Sequence, residues 1–234
     1  MADLSSFDIT KRWPAQHPDR IQLYSLPTPN GIKASAALEE MGLAYEPHLV
    51  SFGTDDQMTP EFMSLNPNNK IPAIIDPDGP GGKPMGLWES GAILLYLANK
   101  TGKLIPADEA GKWEVTQWLM FQMGGVGPMF GQVGFFYKFA GKDYEDKRPL
   151  DRYANESKRL LGVLEKQLDG KEYLTGSDYT IADLAIWPWV RGFFGFYEAG
   201  PLVGEENFPN TIAWMKKCEA RPASQIGINT PARD

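Results

Sequence analysis

Hydrophobic and polar positions change their spacing once along the chain, near Pro106. Before that point, short apolar runs of strand type alternate with helical patterns. The strand-type runs lie at 21–26 (IQLYSL), 44–52 (AYEPHLVSF), 70–76 (KIPAIID) and 84–88 (PMGLW). Helical spacing is found in Ala34, Ala37, Leu38 and Met41 and again over 60–65 and 90–102. The order of elements, β-α-β-α-β-β-α, predicts a compact α/β unit with a mixed sheet.

After Pro106 the strand signal disappears. Four long helical patterns follow, at 108–123, 149–168, 180–198 and 209–220. We therefore predict an α/β domain over 21–105 and an all-helical domain over 106–234. Residues 1–20 are polar and contain two prolines, so we interpret them as an arm on the surface. Pro47 is expected to place the second strand at an edge of the sheet or at a bulge.

Composition and charge narrow the possible functions. The chain has 234 residues, of which 42% are hydrophobic and 23% charged, the balance of a soluble globular protein. Its net charge of −7 argues against a nucleic-acid partner, because phosphate binding favours a basic face. The first twenty residues lack an apolar core and no run approaches the roughly 20 residues of a membrane span, so we expect neither a secretory signal nor a membrane partner. A cytoplasmic location is expected.

The usual nucleophiles and metal ligands are scarce. The one cysteine, Cys218, excludes an internal disulfide and is interpreted as a partly buried helical thiol. His17 and His48 are too scattered to predict a metal site, and no metal is expected. The glycine-rich stretch GGVGPMFG (124–131) misses the G-x-G-x-x-G spacing and is interpreted as a helix break. Thr180 and Asp183 fit a helix capping box rather than a catalytic pair.

The turn LPTPNG (26–31) carries the candidate chemistry. It lies between the first strand and the first helix and contains a hydroxyl, Thr28, and an amide, Asn30. Neither group is a strong nucleophile, but both can donate hydrogen bonds to a sulfur anion. Ser25 is the alternative hydroxyl, although it lies within the strand, three residues before Thr28.

Four motifs carry a resemblance to a known family: PTPNG (27–31), NKIPAI (69–74), ESGAILLYLA (89–98) and SDYTIADLAIWPWV (177–190). Over about residues 20–225 the chain resembles the glutathione transferase superfamily. It is most similar to the bacterial nu-class branch, whose members are glutathione-dependent disulfide-bond oxidoreductases. The resemblance implies a thioredoxin-like N-terminal domain and an all-helical C-terminal domain. A yeast nitrogen regulator belongs to the same wider group, but its Asn/Gln-rich segment has no counterpart here.

The resemblance also implies how glutathione is held. The Ile71–Pro72 bond is expected to be cis, which a tertiary amide allows at about 0.5–1 kcal/mol, and the Ile71 backbone then pairs with the cysteinyl unit. Ser90, at the start of a helix, is expected to bind the carboxylate of the γ-glutamyl end, and Glu89 its ammonium. Without the surrounding motifs, a trans proline and a plain capping serine are the simpler interpretations.

Three further residues are implied as ligands of glutathione. Gln57 and Lys70 are expected beside it, with Lys70 near the glycyl carboxylate, although both are residue types found on any surface. Arg152, in a long predicted helix, is expected to reach glutathione from the helical domain. An intrahelical salt bridge is nearly as good an explanation for Arg152.

Thr28 and Asn30 then act on a thiol that the protein does not itself contain. The bound thiolate of glutathione is expected to reduce small or protein disulfides, with weaker peroxidase or transferase activity. The alternatives are an enzyme that conjugates glutathione to electrophiles and a glutathione-binding regulator without catalysis. One or two glutathione units per subunit, in reduced or disulfide form, are compatible with the motifs, and the family implies a homodimer.

Overall fold

The computed structural model describes residues 3–233; Met1, Ala2 and Asp234, at the ends of the predicted arm and helical domain, lie outside the described residues. Four strands in the described part form one mixed sheet: β1 (Ile21–Ser25), β2 (Tyr45–Leu49), β3 (Ala73–Asp76) and β4 (Met85–Trp88). The spatial order is β2-β1-β3-β4, with β1 and β2 parallel and the other pairs antiparallel. The mixed sheet is confirmed, and β2 with its proline lies at an edge, as predicted.

Ten α-helices are found within residues 3–233. In chain order they are α1 (Pro29–Met41), α2 (Pro60–Leu65), α3 (Ser90–Thr101), α4 (Glu109–Phe121), α5 (Gly127–Tyr137), α6 (Arg148–Gln167), α7 (Ile181–Arg191), α8 (Gly200–Val203), α9 (Pro209–Glu219) and α10 (Pro222–Gly227). The α/β half and the all-helical half predicted from spacing are therefore both present. None of these helices is long and apolar enough to span a lipid bilayer.

The chain divides into two compact units, residues 3–101 with 222–233 and residues 102–221. This division differs from the predicted boundaries at 105/106 and at the C-terminus, because α10 packs on α1. Ser35 donates a hydrogen bond to the Gly227 carbonyl at 2.8 Å. A Cβ on Gly227 would lie 2.8 Å from that of Ala36, so only glycine permits this close packing.

The N-terminal residues also differ from the predicted surface arm. Leu4 and Ile9 are buried, and they join a core cluster that contains Tyr24 and Phe62. Trp13 is partly buried against the same cluster. Although residues 3–20 are mostly polar, their few buried apolar side chains pack this segment against the rest of the first unit.

The second unit is built from long helices, one of which corrects a prediction. The expected helix break at 124–131 is wrong: α4 continues through a π-helical turn, Gln122–Val126, directly into α5. The capping box is confirmed, since Thr180 and Asp183 satisfy each other's backbone groups at the start of α7. Cys218 lies in helix α9, as predicted, and is fully rather than partly buried.

Candidate functional site

The sheet register brings most of the predicted site residues to one edge of the sheet, the edge formed by the C-terminal ends of β1, β2 and β4. Tyr24 in β1 pairs with Ala73 in β3, which pairs with Trp88 in β4, while Ser25 pairs with Leu49 in β2. At this edge β1, β2 and β4 therefore end and β3 begins. The segments attached there carry seven of the predicted residues: Thr28, Asn30, Gln57, Lys70, Ile71, Glu89 and Ser90.

Thr28 caps the first helix without using its own proton. Its hydroxyl oxygen accepts a hydrogen bond from the Gly31 N–H at 3.3 Å, and Asn30 lies in the first helical turn. A hydroxyl has one proton and two lone pairs, so this cap leaves the Thr28 proton available for another acceptor. The N-terminus of α1 adds about half a positive charge beside it. The turn can therefore stabilise an anion.

The burial of Ser25 and the close packing at Gly31 explain why Thr28, and not Ser25, lies at the tip of this turn. Ser25 is fully buried at the end of β1, and its hydroxyl oxygen has no hydrogen-bond partner within residues 3–233. The chain then packs so closely that a Cβ on Gly31 would lie 1.9 Å from the Leu26 carbonyl oxygen. Glycine at 31 thus allows the turn to fold tightly and present Thr28.

The start of α3 places a second group of polar side chains at the same edge. Ser90 is the first residue of the helix rather than its cap, which corrects the prediction by one residue, and the Glu89 carbonyl accepts from the Ile93 N–H at 2.9 Å. Ser90 is buried, and the Nζ of Lys33 in α1 donates to its hydroxyl at 3.2 Å.

Lys33, which the sequence analysis did not single out, lies beside the predicted site residue Ser90. Its side chain is fully buried. Burial lowers the pKa of Lys33 well below its ordinary value, and the negative charge of Glu89 only partly opposes this. The signal in the sequence is a lysine between the apolar residues Ile32 and Ala34 in the predicted first helix, where burial of a charged group is unfavourable. Its position suits the recognition of a carboxylate at the start of α3.

The loop before β3 contains the predicted cis bond, and the structure confirms that Ile71–Pro72 is cis. Asn66, which the sequence analysis also missed, is buried and supports this loop. Its Nδ2 donates to the Lys70 carbonyl at 2.5 Å, and its Oδ1 accepts from the Asn68 N–H at 2.9 Å. The Lys70 side chain itself is exposed, as its predicted contact with a ligand requires.

Gln57 presents an unpaired acceptor. It lies on a 3₁₀ turn, Asp56–Met58, and its Nε2 donates to Asp55 at 3.5 Å. Its Oε1 is buried and has no hydrogen-bond partner in the described part of the chain. A buried acceptor without a partner is unfavourable by about 1–3 kcal/mol. An N–H donor of a bound peptide would remove that penalty.

Unusual backbone conformations accompany three of these residues. Asp55, Asn69 and Glu89 have φ values of +53°, +46° and +72°, and each lies within two residues of a predicted ligand, respectively Gln57, Lys70 and Ser90. Non-glycine residues rarely adopt positive φ, and such conformations concentrate at binding sites, where the surroundings hold them. Three loops at one edge are thus held in conformations of raised energy.

Arg152 lies apart from this group in the sequence and belongs to the second unit. It is exposed on α6, and its charge helps to lower the pKa of Glu156, one turn along, after the larger effect of the Glu156–Arg159 hydrogen bond. Its contact with glutathione stays a prediction. Within residues 3–233, no group of three or more His, Cys, Asp or Glu side chains could hold a metal ion.

Comparison with known proteins gives matches over both units. The family model "Glutathione S-transferase, N-terminal domain" matches residues 20–99, and "Glutathione S-transferase, C-terminal domain" matches residues 127–222. The chain is similar to disulfide-bond oxidoreductase YfcG of Escherichia coli (strain K12), with 41% identity over 205 residues. That match covers 87% of this chain and 92% of the relative.

Two solved structures are closer in sequence. A glutathione transferase of Burkholderia graminis with two glutathione molecules bound per subunit is 67% identical, with a TM-score of 0.98 over 100% of this chain and 98% of that one. A glutathione transferase of Pseudomonas putida with one glutathione disulfide bound per subunit is 60% identical, with a TM-score of 0.97 over 98% of this chain and 100% of that one.

Proposed function

Because the chain belongs to the glutathione S-transferase family, we propose that it is a glutathione-dependent disulfide-bond reductase with weaker peroxidase or conjugating activity. The observation that carries this proposal is the Thr28 hydroxyl, which caps α1 through its oxygen and keeps its proton for an anion. The turn that presents it, LPTPNG, contains no protein nucleophile. The reacting sulfur therefore belongs to glutathione.

The surrounding residues fit the tripeptide in charge and hydrogen bonding. Ser90 and the N-terminus of α3 suit the γ-glutamyl carboxylate, with the Lys33 amine behind them, and Glu89 suits the ammonium. The Ile71 backbone holds the cysteinyl unit. The Oε1 of Gln57 accepts from a ligand N–H, and Lys70 binds the glycyl carboxylate. We propose Arg152 as an additional ligand.

Thr28 and Asn30 make the bound thiol reactive by stabilising its anion. A free thiol has a pKa near ~8.5, so only a few per cent is ionised at neutral pH. Lowering that pKa by ~2 units requires about 2.7 kcal/mol of preferential stabilisation of the anion. One or two hydrogen bonds to the charged sulfur, at ~1.5–3 kcal/mol each, together with the helix N-terminus are sufficient.

Disulfide reduction needs two thiols. Glutathione supplies them: one sulfur attacks the substrate disulfide, the second resolves the mixed disulfide, and two electrons and two protons pass to the substrate as glutathione disulfide forms. No acid is needed for a poor leaving group, which agrees with a turn that only donates hydrogen bonds. The relatives with two glutathione molecules or one glutathione disulfide bound support this stoichiometry. We further propose nu-class membership, a homodimer and a cytoplasmic location, in line with the sequence resemblance.

The test compares three reactions at one glutathione concentration. Purified protein is assayed with a model disulfide, an aryl halide and an organic peroxide, and glutathione binding is measured by calorimetry. We expect the disulfide to be turned over fastest. The double variant T28V/N30L should lose most of this activity while still binding glutathione through the other loops.

Each alternative has its own outcome in this assay. Faster turnover of the aryl halide than of the disulfide would identify a conjugating enzyme and overturn the proposal. Glutathione binding without acceleration over free thiol in any of the three reactions would identify a regulator. An unaltered disulfide rate in the double variant would remove Thr28 and Asn30 from the mechanism.

A further inference from the structure

The N-terminal segment is tied to the loop that carries Gln57 by a buried carboxylate. The Arg12 guanidinium donates to Asp56 Oδ1 in a short ion pair, and the other carboxylate oxygen accepts from the Ser51 N–H at 2.9 Å. Asp56 is largely buried, whereas the Arg12 side chain is 40% exposed. Asp56 therefore joins residue 12 to both ends of the loop 51–56.

The backbone of Asp56 closes the same loop. Its N–H donates to the Ser51 carbonyl at 3.1 Å, and its own carbonyl accepts from the Thr59 hydroxyl at 2.7 Å. Thr59 in turn caps α2. Asp56, whose carboxylate pairs with Arg12, therefore also connects Ser51 to Thr59 at the start of α2 through its backbone hydrogen bonds.

Trp13 makes the second attachment. Its Nε1 donates to the Leu49 carbonyl at 3.0 Å, at the end of β2 where the loop begins. Its ring packs edge-on against Tyr24 and Phe62, with centroid distances of 5.9 and 6.4 Å. Arg12 and Trp13, which are consecutive in the chain, therefore attach to this loop at Asp56 and at Leu49, respectively.

Gln57 follows Asp56 directly and depends on this arrangement. It lies between Asp55, at a φ of +53°, and Met58, whose N–H donates to the Asp55 carbonyl at 2.8 Å. A short loop with a left-handed residue keeps its conformation only where its surroundings hold it. Asp56, through which Arg12 holds the loop, therefore directly precedes Gln57, whose buried Oε1 has no hydrogen-bond partner among the described residues.

We propose that Arg12 and Trp13 form an N-terminal brace that positions Gln57 for glutathione. The inference rests on the proposed function and assigns a positioning role to residues that precede both matched family domains. Arg12 acts through Asp56 and does not itself contact the ligand. The brace sets the affinity for glutathione rather than the rate of the chemical step.

The main experiment compares R12M with K11M in the full chain. Lys11 is the matched control, because it carries the same charge one residue earlier but pairs with Asp8 of its own helical turn. We expect R12M to raise the Kd for glutathione about three- to tenfold, as for loss of a partly exposed charged hydrogen bond, with kcat at saturating glutathione unchanged. K11M should leave both values unchanged, and R12K should restore part of the affinity.

A double-mutant cycle tests whether Arg12 acts through Gln57. In a Q57A background, R12M should give no further change in Kd, because the residue that it positions is already absent. Additive effects of the two substitutions would overturn the inference, as would equal Kd values for R12M and the unaltered protein. Unfolding midpoints are measured for all variants, and binding is compared well below the lowest midpoint.

Hydrogen exchange supplies a readout that does not depend on glutathione. R12M should accelerate exchange at the amides of Ser51, Asp56 and Met58, and K11M should not. Unchanged exchange in R12M would overturn the brace even if affinity falls. Absence of glutathione binding by the unaltered protein would instead overturn the proposed function, and the positioning role with it.

Discussion

Lys33 Nζ donates a hydrogen bond to Ser90 Oγ at 3.2 Å and so connects α1 to the start of α3. Both side chains are buried, although the residues are 57 positions apart. The Ser90 hydroxyl oxygen accepts from this amine, so Lys33 orients the hydroxyl at the start of α3. The pair gives the start of α3 a buried amine and a hydroxyl that this amine orients.

The first prediction is that K33M weakens glutathione binding. Methionine has a similar length, so packing is largely retained while the amine that donates to Ser90 is lost. We expect the Kd for glutathione to rise about tenfold or more, because hydrogen bonds to charged groups contribute on the order of 1.5–3 kcal/mol. Calorimetric titration measures this. The matched control is K100M, which removes a lysine from the opposite end of α3, and its Kd should be unchanged.

The second prediction concerns pH. Burial holds the pKa of Lys33 below its ordinary value, so between the folded and the unfolded pKa the unfolded chain binds more protons than the folded one. Stability then rises with pH through this window, and the penalty for burying the amine is greatest at lower pH. K33M lacks the group, so its stability relative to the unaltered protein should be higher at pH 7 than at pH 10. Denaturant unfolding at both values checks this, and a difference independent of pH would contradict it.

The third prediction separates the two roles of Thr28. T28S keeps both cap and proton, T28D keeps the cap but cannot donate, and T28V loses both. We expect kcat/KM for a disulfide to stay near the original value in T28S and to fall about 10- to 100-fold in T28V, as for one lost hydrogen bond to a charged sulfur. In T28D the fall should be at least as large, because the new carboxylate also repels the thiolate. Unfolding free energy should fall by about 1 kcal/mol in T28V alone. Full activity in T28D would show that capping is the only role of Thr28.

The fourth prediction uses the backbone of Glu89. At a φ of +72° glycine is preferred over glutamate, so E89G should leave the free energy of unfolding unchanged or raise it by up to about 1 kcal/mol. Glutathione affinity should nevertheless fall, because the proposed partner of the ammonium is lost. E198G is the matched control, since Glu198 has a φ of +57° in the second unit. Unchanged affinity in E89G would remove Glu89 from the site.

The fifth prediction concerns Asp183, whose carboxylate is buried in the second unit. It accepts from the Leu174 N–H, the Thr180 N–H and hydroxyl, and the Trp214 indole, at 2.9–3.1 Å. D183A leaves these donors without a partner and should lower the free energy of unfolding by about 3 kcal/mol or more. The exposed neighbour Asp178 provides the control D178A. Where D183A remains folded, its disulfide-reductase kcat should be unchanged, and a selective loss of kcat would indicate a catalytic role.

Local patterns in the sequence determined much of this protein. Strand and helix order, the capping box at Thr180 and the Thr28 turn depend on residues within a few positions of each other, so spacing alone reveals them. The cis bond at Ile71–Pro72 was expected from the same kind of motif and is present. Small errors occurred where local signals were ambiguous, as at the π-helical turn Gln122–Val126 and at the first residue of α3.

Only the tertiary structure decided which distant residues support the site. Lys33 meets Ser90 across 57 positions, Arg12 meets Asp56 across 44, and Gly227 meets Ser35 across 192. The residues of each pair are too far apart in the chain to share a helix or strand period. A single lysine or arginine in a sequence therefore does not indicate its partner. The sheet register and the packing of helices select these pairs, because they bring together segments that the chain order keeps apart.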